Sequence, residues 1–535
     1  MTTRTIQARM KAYIQPFERA LAIQELRVVT GASAEALRRL EGENDFEVSS
    51  RLGGADLASR LAYWETVVDG LDQHLTVQTL REATVNVVRN GISLSDLRQS
   101  LPFDGAPPLP NRRCLRYGPH GIHEYRGKFF PQLVRSLINV AGVGPGGLVA
   151  DTMSGSGTTL VEAALMGCQG AGLDMNPLSV FLGNTKCQLL SADSTALQDE
   201  YARVRESLLG PDPSKKHRRE YFKTLSDLDQ EYLTAWFSED ILDSLDDIAV
   251  TINRVRDVPT RNLMWISLSN VLRSVSWQKE DDLRVRKEIR LDADTDPKKE
   301  FLEELGRSVR AVLALLFQNG PAKSGLACVS QGDARNPLAT LPALRSAVDV
   351  VITSPPYATA LPYLDTDRLS LCYLGLLPRS MHRTRDHSMI GNREVSEGLR
   401  RSYWDRFDRE GAVLPGSVRD LIHHIHDRNS GAGVGFRRLN LPSLLAKYFF
   451  DMREALAGVQ AILKPRATAF VVVGNNHTIA GGERVEIRTA SLLRDIAQAL
   501  GFETADSLSM EMLVSRDIFK KNASSSEEIL AFRKA

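Results

Sequence analysis

The chain of 535 residues contains only five cysteines, Cys114, Cys168, Cys187, Cys328 and Cys372, with no Cys-x-x-Cys pair among them. That scatter excludes a zinc ribbon and a disulfide framework and points to a reducing compartment. None of the five follows a proline. No apolar run approaches ~18 residues, and the amino-terminal MTTRTIQARMKAYIQPFERA is charged throughout, so neither a membrane span nor a signal peptide is expected. The expected location is the cytoplasm. Neither sign of charge is in excess: 67 Lys and Arg stand against 66 Asp and Glu, a net charge of +1. No global field draws the protein onto a polyanion, and nucleic-acid binding would need local patches. Internal repeats and low-complexity tracts are also missing. What remains is the composition of a globular protein, 43% hydrophobic and 25% charged, long enough for two or three domains.

Residues 1–100 carry apolar positions at helical spacing in QPFERALAIQELRVV, ASRLAYWETVVDGLDQHL and LREATVNVVRNGI, which predicts a helical amino-terminal domain used for packing or oligomerisation. The Pro- and Gly-rich LPFDGAPPLPNRR opens a linker over 101–119. From 120 to 190 the pattern alternates: a helix with Pro131 in its first turn, a strand ending at Asp151, a turn Thr152-Met153-Ser154-Gly155-Ser156-Gly157-Thr158, a helix, and a second strand ending at Asp174. Residues 191–325 break the rhythm with helices and charged connectors, an insertion. The rhythm resumes over 326–535, interrupted by a loop-rich stretch at 378–440. His423, His424 and His426 have no cysteine or second cluster beside them, too weak a set for a metal site. Trp236, Trp265 and Trp277 read as core anchors of the insertion.

Two stretches carry chemistry. Asp151-x-x-x-Gly155-x-Gly157 departs from the dinucleotide fingerprint and from the P-loop, since no lysine follows the last glycine. The glycines admit close backbone approach, and Asp174 falls where a carboxylate takes the hydroxyls of a ribose. An adenosine ligand without pyrophosphate is implied, and S-adenosylmethionine fits. The second stretch is Val350-Val351-Ile352-Thr353-Ser354-Pro355-Pro356-Tyr357. A β-branched run stops at two prolines that cannot donate to a sheet ladder, so the polar end is a loop leaving a buried strand.

Together, DTMSGSGTTLVEAALMGCQGAGLDMNP and VVITSPPY resemble the amino-methyltransferases of DNA, specifically the group whose Ser-Pro-Pro-Tyr loop methylates N4 of cytosine. The resemblance covers most of residues 120–535. It implies a doubly wound, mostly parallel α/β sheet of seven strands, Rossmann-like, with the helical insertion and the helical amino-terminal domain added. It also implies cofactor contacts from Lys128, Phe129 and Pro131 at the methionine end, from Asp151, Met153, Gly155, Ser156, Gly157 and Thr158 in the turn, from Asp174 and Met175, from Asp333 at the adenine, and from Thr353. The family has Asp-Pro-Phe where this chain has Asp151-Thr152-Met153, and Met153 still offers a flexible apolar cover. That departure bears on the tightness of cofactor binding rather than on the reaction. The expected partners are double-stranded DNA with a flipped target base and a restriction endonuclease or other defence component, with no membrane.

An exocyclic amine is a poor nucleophile because its lone pair is delocalised into the ring. Ser354 Oγ and the carbonyl of Pro355, held by the diproline, accept from the amine and localise that pair, and Tyr357 offers a stacking surface. Transfer is then a direct in-line displacement. Cytosine C5 methylation needs a thiolate in a Pro-Cys pair, which this chain lacks. Ser354 favours cytosine N4 over adenine N6, although a hydroxyl serves either amine. Adenine N6, an RNA amine and a catalytically silent DNA-binding protein are the rival readings. The chain closes on its last predicted strand, so recognition is expected within the insertion, with PSKKHRREYFK and RVRKEIR, and secondarily within 378–440.

Overall fold

The computed structural model describes the chain except residues 1–2, 34, 90, 110–111, 126, 128–129, 211–218, 280–285, 290–294, 359–362, 393–394, 431–433, 506 and 512–525. The first hundred residues are not a helical domain. They hold an antiparallel sheet of β1 (Arg4–Met10), β2 (Leu37–Arg39), β3 (Asp45–Ser50), β4 (Trp64–Asp69) and β5 (Asp72–Leu75), ordered β2-β3-β1-β4-β5, with helices including Pro16–Thr30 and Val77–Val88. In β1 the side chains of Ile6, Ala8 and Met10 alternate into the core, the period-2 pattern of a half-buried strand. Gly70-Leu71, after Asp69, closes a hairpin through what reads as a continuous helix, because an Asp-Gly turn outweighs helical spacing.

The second sheet contains β6 (Leu148–Asp151), β7 (Gln169–Asp174), β8 (Ala327–Gln331), β9 (Val348–Thr353) and β10 (Leu463–Gly474), all parallel. A separate hairpin of β11 (Asn476–Ala480) and β12 (Glu483–Ile487) follows. The sheet is completed by β13 (Phe502–Thr504), β14 (Leu508–Glu511) and β15 (Ser526–Lys534). Its order is β13-β15-β10-β9-β6-β7-β8, seven strands on one path, with β14 as an eighth strand paired to β15. β15 runs antiparallel to β10. This is a doubly wound, Rossmann-like methyltransferase fold, and the strand order reverses between β6 and β9.

Burial on both faces explains the near-continuous apolar runs in the central strands. Val350 and Ile352 of β9 face a layer formed by helix Pro131–Val140 and the amino-terminal domain, with Leu26, Trp64, Leu133 and Leu137. Val351, with Val471 and Val473 of β10, faces the opposite layer of helices Phe436–Ile462 and Thr489–Ala499. Asp349 ties the amino ends of three strands, accepting from the Leu148 amide at 2.8 Å and pairing with Lys464 at 2.6 Å.

Between β7 and β8 lie helices Ser194–Leu209, Asp227–Thr234, Glu239–Asn253, Val258–Ser274 and Pro297–Asn319, whose core continues into Leu178 and Leu182 of helix Pro177–Leu189. The stretch 378–440 is not loop-rich: it contains helices His382–Ser388, Glu397–Glu410 and Gly416–Ser430 and the start of Phe436–Ile462. Phe407 is the one buried residue among the described positions of Glu397–Glu410, so its dense charge hides the helical spacing in the sequence.

Candidate active site

The glycine turn and the Ser-Pro-Pro-Tyr loop leave neighbouring strands on the same edge. β6 and β9 pair through Val149 with Val350 and Ala150 with Val351, and both loops depart at their carboxyl ends, the position where open α/β sheets bind ligands. Asp151 at the end of β6 is buried, and burial pushes its carboxyl up to about 6 against the opposing Met153 amide, which donates to Oδ1 at 3.1 Å.

Asp174 clamps the turn. Its Oδ2 accepts from the Gly155 amide at 2.7 Å and its Oδ1 from the Asn176 amide at 2.8 Å. Desolvation pushes this half-buried carboxyl up to about 6, with those amides opposing the shift. The conformation requires glycine at Gly157, where φ is +78° and a Cβ would stand 2.7 Å from the Cα of Gly183. At Gly155, φ +49°, a Cβ would meet the Tyr125 ring at 2.9 Å.

A cleft opens over these loops. Met153, Gly155, Asp174, Met175, Ser354, Pro355, Pro356 and Tyr357 line it together. An adjoining recess is lined by Ser156, Thr158 and again Ser354. Asp151, Gly157 and Thr353 support the loops from the strand ends and turn without lining the cleft. Pro131 is buried at the start of its helix, also away from the lining, and Lys128 and Phe129 lie outside the described residues. Asp333 sits between the lining residues Gly332 and Ala334, but its carboxylate is engaged by Arg335 at 2.6 Å and does not line the cleft.

Sequence reasoning missed Tyr125, Thr152, Met389 and Ile390, which also line the cleft. Tyr125 lies just upstream of the KFFP segment, and Met389 and Ile390 fall in the stretch read as loop. The Tyr357 ring rests on Gly474 of β10, where a Cβ would come within 2.9 Å of Cε2, and its hydroxyl donates to Glu527 of β15. Burial pushes the Glu527 carboxyl up to about 7. Gly391, φ +77°, backs the loop, since a Cβ there would stand 2.9 Å from Pro356.

The cleft has the donor set of an adenosine site: a carboxylate at its floor, bare glycine backbone, and thioether and aliphatic walls. Thr152 Oγ1 and Ser156 Oγ are buried at it without a hydrogen-bond partner among the described residues, polar atoms that a ligand would satisfy.

The profile of the RMKL-like methyltransferase domain matches residues 123–220. The chain is similar to the type II methyltransferase M.BsoBI of Geobacillus stearothermophilus, 24% identical over 441 residues covering 74% of this chain and 81% of that one. It is similar to M.MvaI of Kocuria varians, another type II methyltransferase, at 23% over 372 residues, 66% and 76% of the two chains. M.MjaII of Methanocaldococcus jannaschii is 41% identical over 69 residues, 13% of each chain. Solved structures matched include TrmN from Thermus thermophilus, 11% identical with 99% of both chains covered at a TM-score of 0.29, too low to add to the strand order.

Fold and cleft define the chain as a Rossmann-like methyltransferase. Within that class it is similar to the type II DNA methyltransferases.

Proposed function

We propose that the protein transfers a methyl group from S-adenosylmethionine to the N4 amine of cytosine in DNA. One observation carries this reading: the Asp174-clamped glycine turn and Ser354–Tyr357 share a single cleft on adjacent strands. The cofactor supplies a methyl activated on a sulfonium. Met153, Met175 and Ile390 give its adenosine an apolar enclosure, Asp174 is placed for the ribose hydroxyls, and the bare backbone at Gly155 admits close approach. Met153, Gly155 and Ser354 line both the cleft and its recess, so they join the cofactor side to the target side.

A cytosine extruded from the duplex stacks on Tyr357, and Ser354 Oγ and the Pro355 carbonyl accept from its amine and localise the lone pair for in-line attack. No covalent intermediate is needed. Type II relatives support DNA as the substrate, and the partner proposed with it is a restriction endonuclease of the same site or another defence component, in the cytoplasm. Among the described residues no helix is long and apolar enough to cross a membrane.

The stretch 378–440 is the better candidate for DNA contact, because it supplies Met389 and Ile390 to the cleft and exposes Arg409, Arg419 and Arg438 on its helices. In the insertion, Arg284, Val285 and Arg290 of RVRKEIR and much of PSKKHRREYFK lie outside the described residues, Lys287 lies over the ring of Trp277, and Arg219 is already paired with Glu239 and Asp243.

Labelled cofactor incubated with DNA, followed by digestion to nucleosides, tests the reading. N4-methylcytosine supports it, N6-methyladenine moves it to the other amine, and absence of label from DNA and RNA overturns it.

A further inference from the structure

The wall of the cleft at Met389 and Ile390 hangs on two cations that the reaction does not use. Arg335, in the loop after β8, spreads its guanidinium over three partners. Nη1 donates to Asp451 at 2.9 Å, Nη2 donates to the Ser388 carbonyl at 2.8 Å, and Nε and Nη2 hold both oxygens of Asp333 at 2.6–3.0 Å. Lys447, one turn before Asp451 on helix Phe436–Ile462, donates to the Met389 carbonyl at 2.8 Å and to Asp451 at 2.6 Å. Lys447 and Asp451 are buried, at 8% and 4% side-chain exposure, so these bonds are made away from water, where losing one partner strands the others.

The carboxylate of Asp333, where the family resemblance expects an adenine contact, is thereby occupied as a counterion. Gly332 and Ala334 on either side of it line the cleft, so the wall lies at the carboxyl end of β8, the adenine side if the cofactor takes the pose described above.

We propose that Arg335 and Lys447 are positioning residues for the cofactor end of the cleft, and that cofactor affinity depends on them rather than on the Asp333 carboxylate. The inference rests on the cofactor reading in the preceding section. It also makes the helical stretch that follows Ile390 mechanically continuous with the cofactor wall.

The test is S-adenosylhomocysteine binding by calorimetry, with amide hydrogen exchange over 382–392, in the full-length protein. Arg335→Gln is expected to weaken binding at least 30-fold and to speed exchange in 382–392. Arg335→Lys, which keeps the charge but not the planar fork, is expected to recover part of the loss. Asp333→Ala is expected to stay within threefold of wild type with exchange unchanged. If Arg335→Gln does not fold, Lys447→Met provides the same comparison, because it removes the bond to the Met389 carbonyl and leaves Arg335 on Asp451. The proposal is overturned if Asp333→Ala weakens binding as much as Arg335→Gln, or if neither cation variant changes exchange in 382–392. If the wild type does not bind S-adenosylhomocysteine, the cofactor reading fails and exchange alone decides: faster exchange upholds the wall assignment and unchanged exchange rejects it.

Discussion

The phenol of Tyr357 donates its hydrogen bond to the carboxyl of Glu527, joining the loop after β9 to the last strand of the sheet. With Gly474 leaving bare backbone beneath the ring, two contacts from two strands fix the plane on which a base would stack. Tyr357→Phe keeps the ring and loses the bond, so methyl transfer should fall by a few-fold, up to about tenfold. Tyr357→Ala removes the platform, and a stacking loss of about 1–3 kcal/mol predicts roughly 10- to 100-fold slower transfer. Initial rates with labelled cofactor distinguish the two, and equal rates for wild type and Tyr357→Ala would reject the stacking role.

Ser354 lines both parts of the cleft and, in the proposed reaction, is the side-chain acceptor for the target amine. Ser354→Ala should cost about 10²-fold in single-turnover rate, by analogy with removing one group of a preorganised polar site. Cofactor binding should be nearly unchanged. A variant that methylates at the wild-type rate shows that the hydroxyl is a bystander.

Much of this site was legible because it depends on local chemistry. Two prolines must end a strand, a glycine turn must follow one, and an acid after the next strand follows the βα rhythm. What was illegible depends on distant partners. Nothing near Asp333 in sequence announces that Arg335 also reaches Asp451 and Ser388, and so claims that carboxylate. Met389 and Ile390 were hidden because so few apolar residues mark the helices after them. In the amino-terminal domain, helical spacing over ASRLAYWETVVDG competed with the turn after Asp69, and the turn prevailed because it lets Val67 pack beside Ala8 of β1.

Gly157→Ala should destabilise the whole domain. A Cβ would face the Cα of Gly183 at 2.7 Å, backbone that cannot rotate aside, and the residue would have to hold φ +78°. Strain of this kind costs about 1–3 kcal/mol before the clash is counted. Urea denaturation followed by circular dichroism should show a lower midpoint, and an unchanged midpoint would show that helix Pro177–Leu189 can move away.

Stability should fall as pH rises from about 4.5 to 7. Burial holds Glu25 and Glu527 up to about 7 and Asp151 and Asp174 up to about 6. Between the unfolded and folded values the native state binds more protons, so the slope of stability against pH is negative there. Glu25 is the cleanest contributor, being fully buried while accepting from Asn139 at 2.7 Å and from the Ala62 amide at 2.9 Å. The melting temperature should be higher at pH 5.5 than at pH 8 at constant ionic strength, and Glu25→Gln should reduce the difference. A melting temperature that rises over that window contradicts the assignment.

A buried ion pair within the amino-terminal domain stands where that domain meets the helix packed on β9. Lys11 at the end of β1 donates to Glu82 at 2.7 Å, with both side chains 1% exposed, and to the Ala62 carbonyl at 3.0 Å. The same Glu82 oxygen accepts from Gln78 at 3.0 Å and from Gln132 at 3.1 Å, and Gln132 belongs to the helix that packs on β9. Such a pair adds little net stability when complete, because desolvation offsets the attraction, but losing one member leaves a charge stranded. Lys11→Met should therefore cost about 3–5 kcal/mol, and Lys11→Met combined with Glu82→Gln should recover part of it by removing the uncompensated charge. Denaturant titrations of the four proteins close the cycle. Strictly additive losses would mean that the two residues act separately.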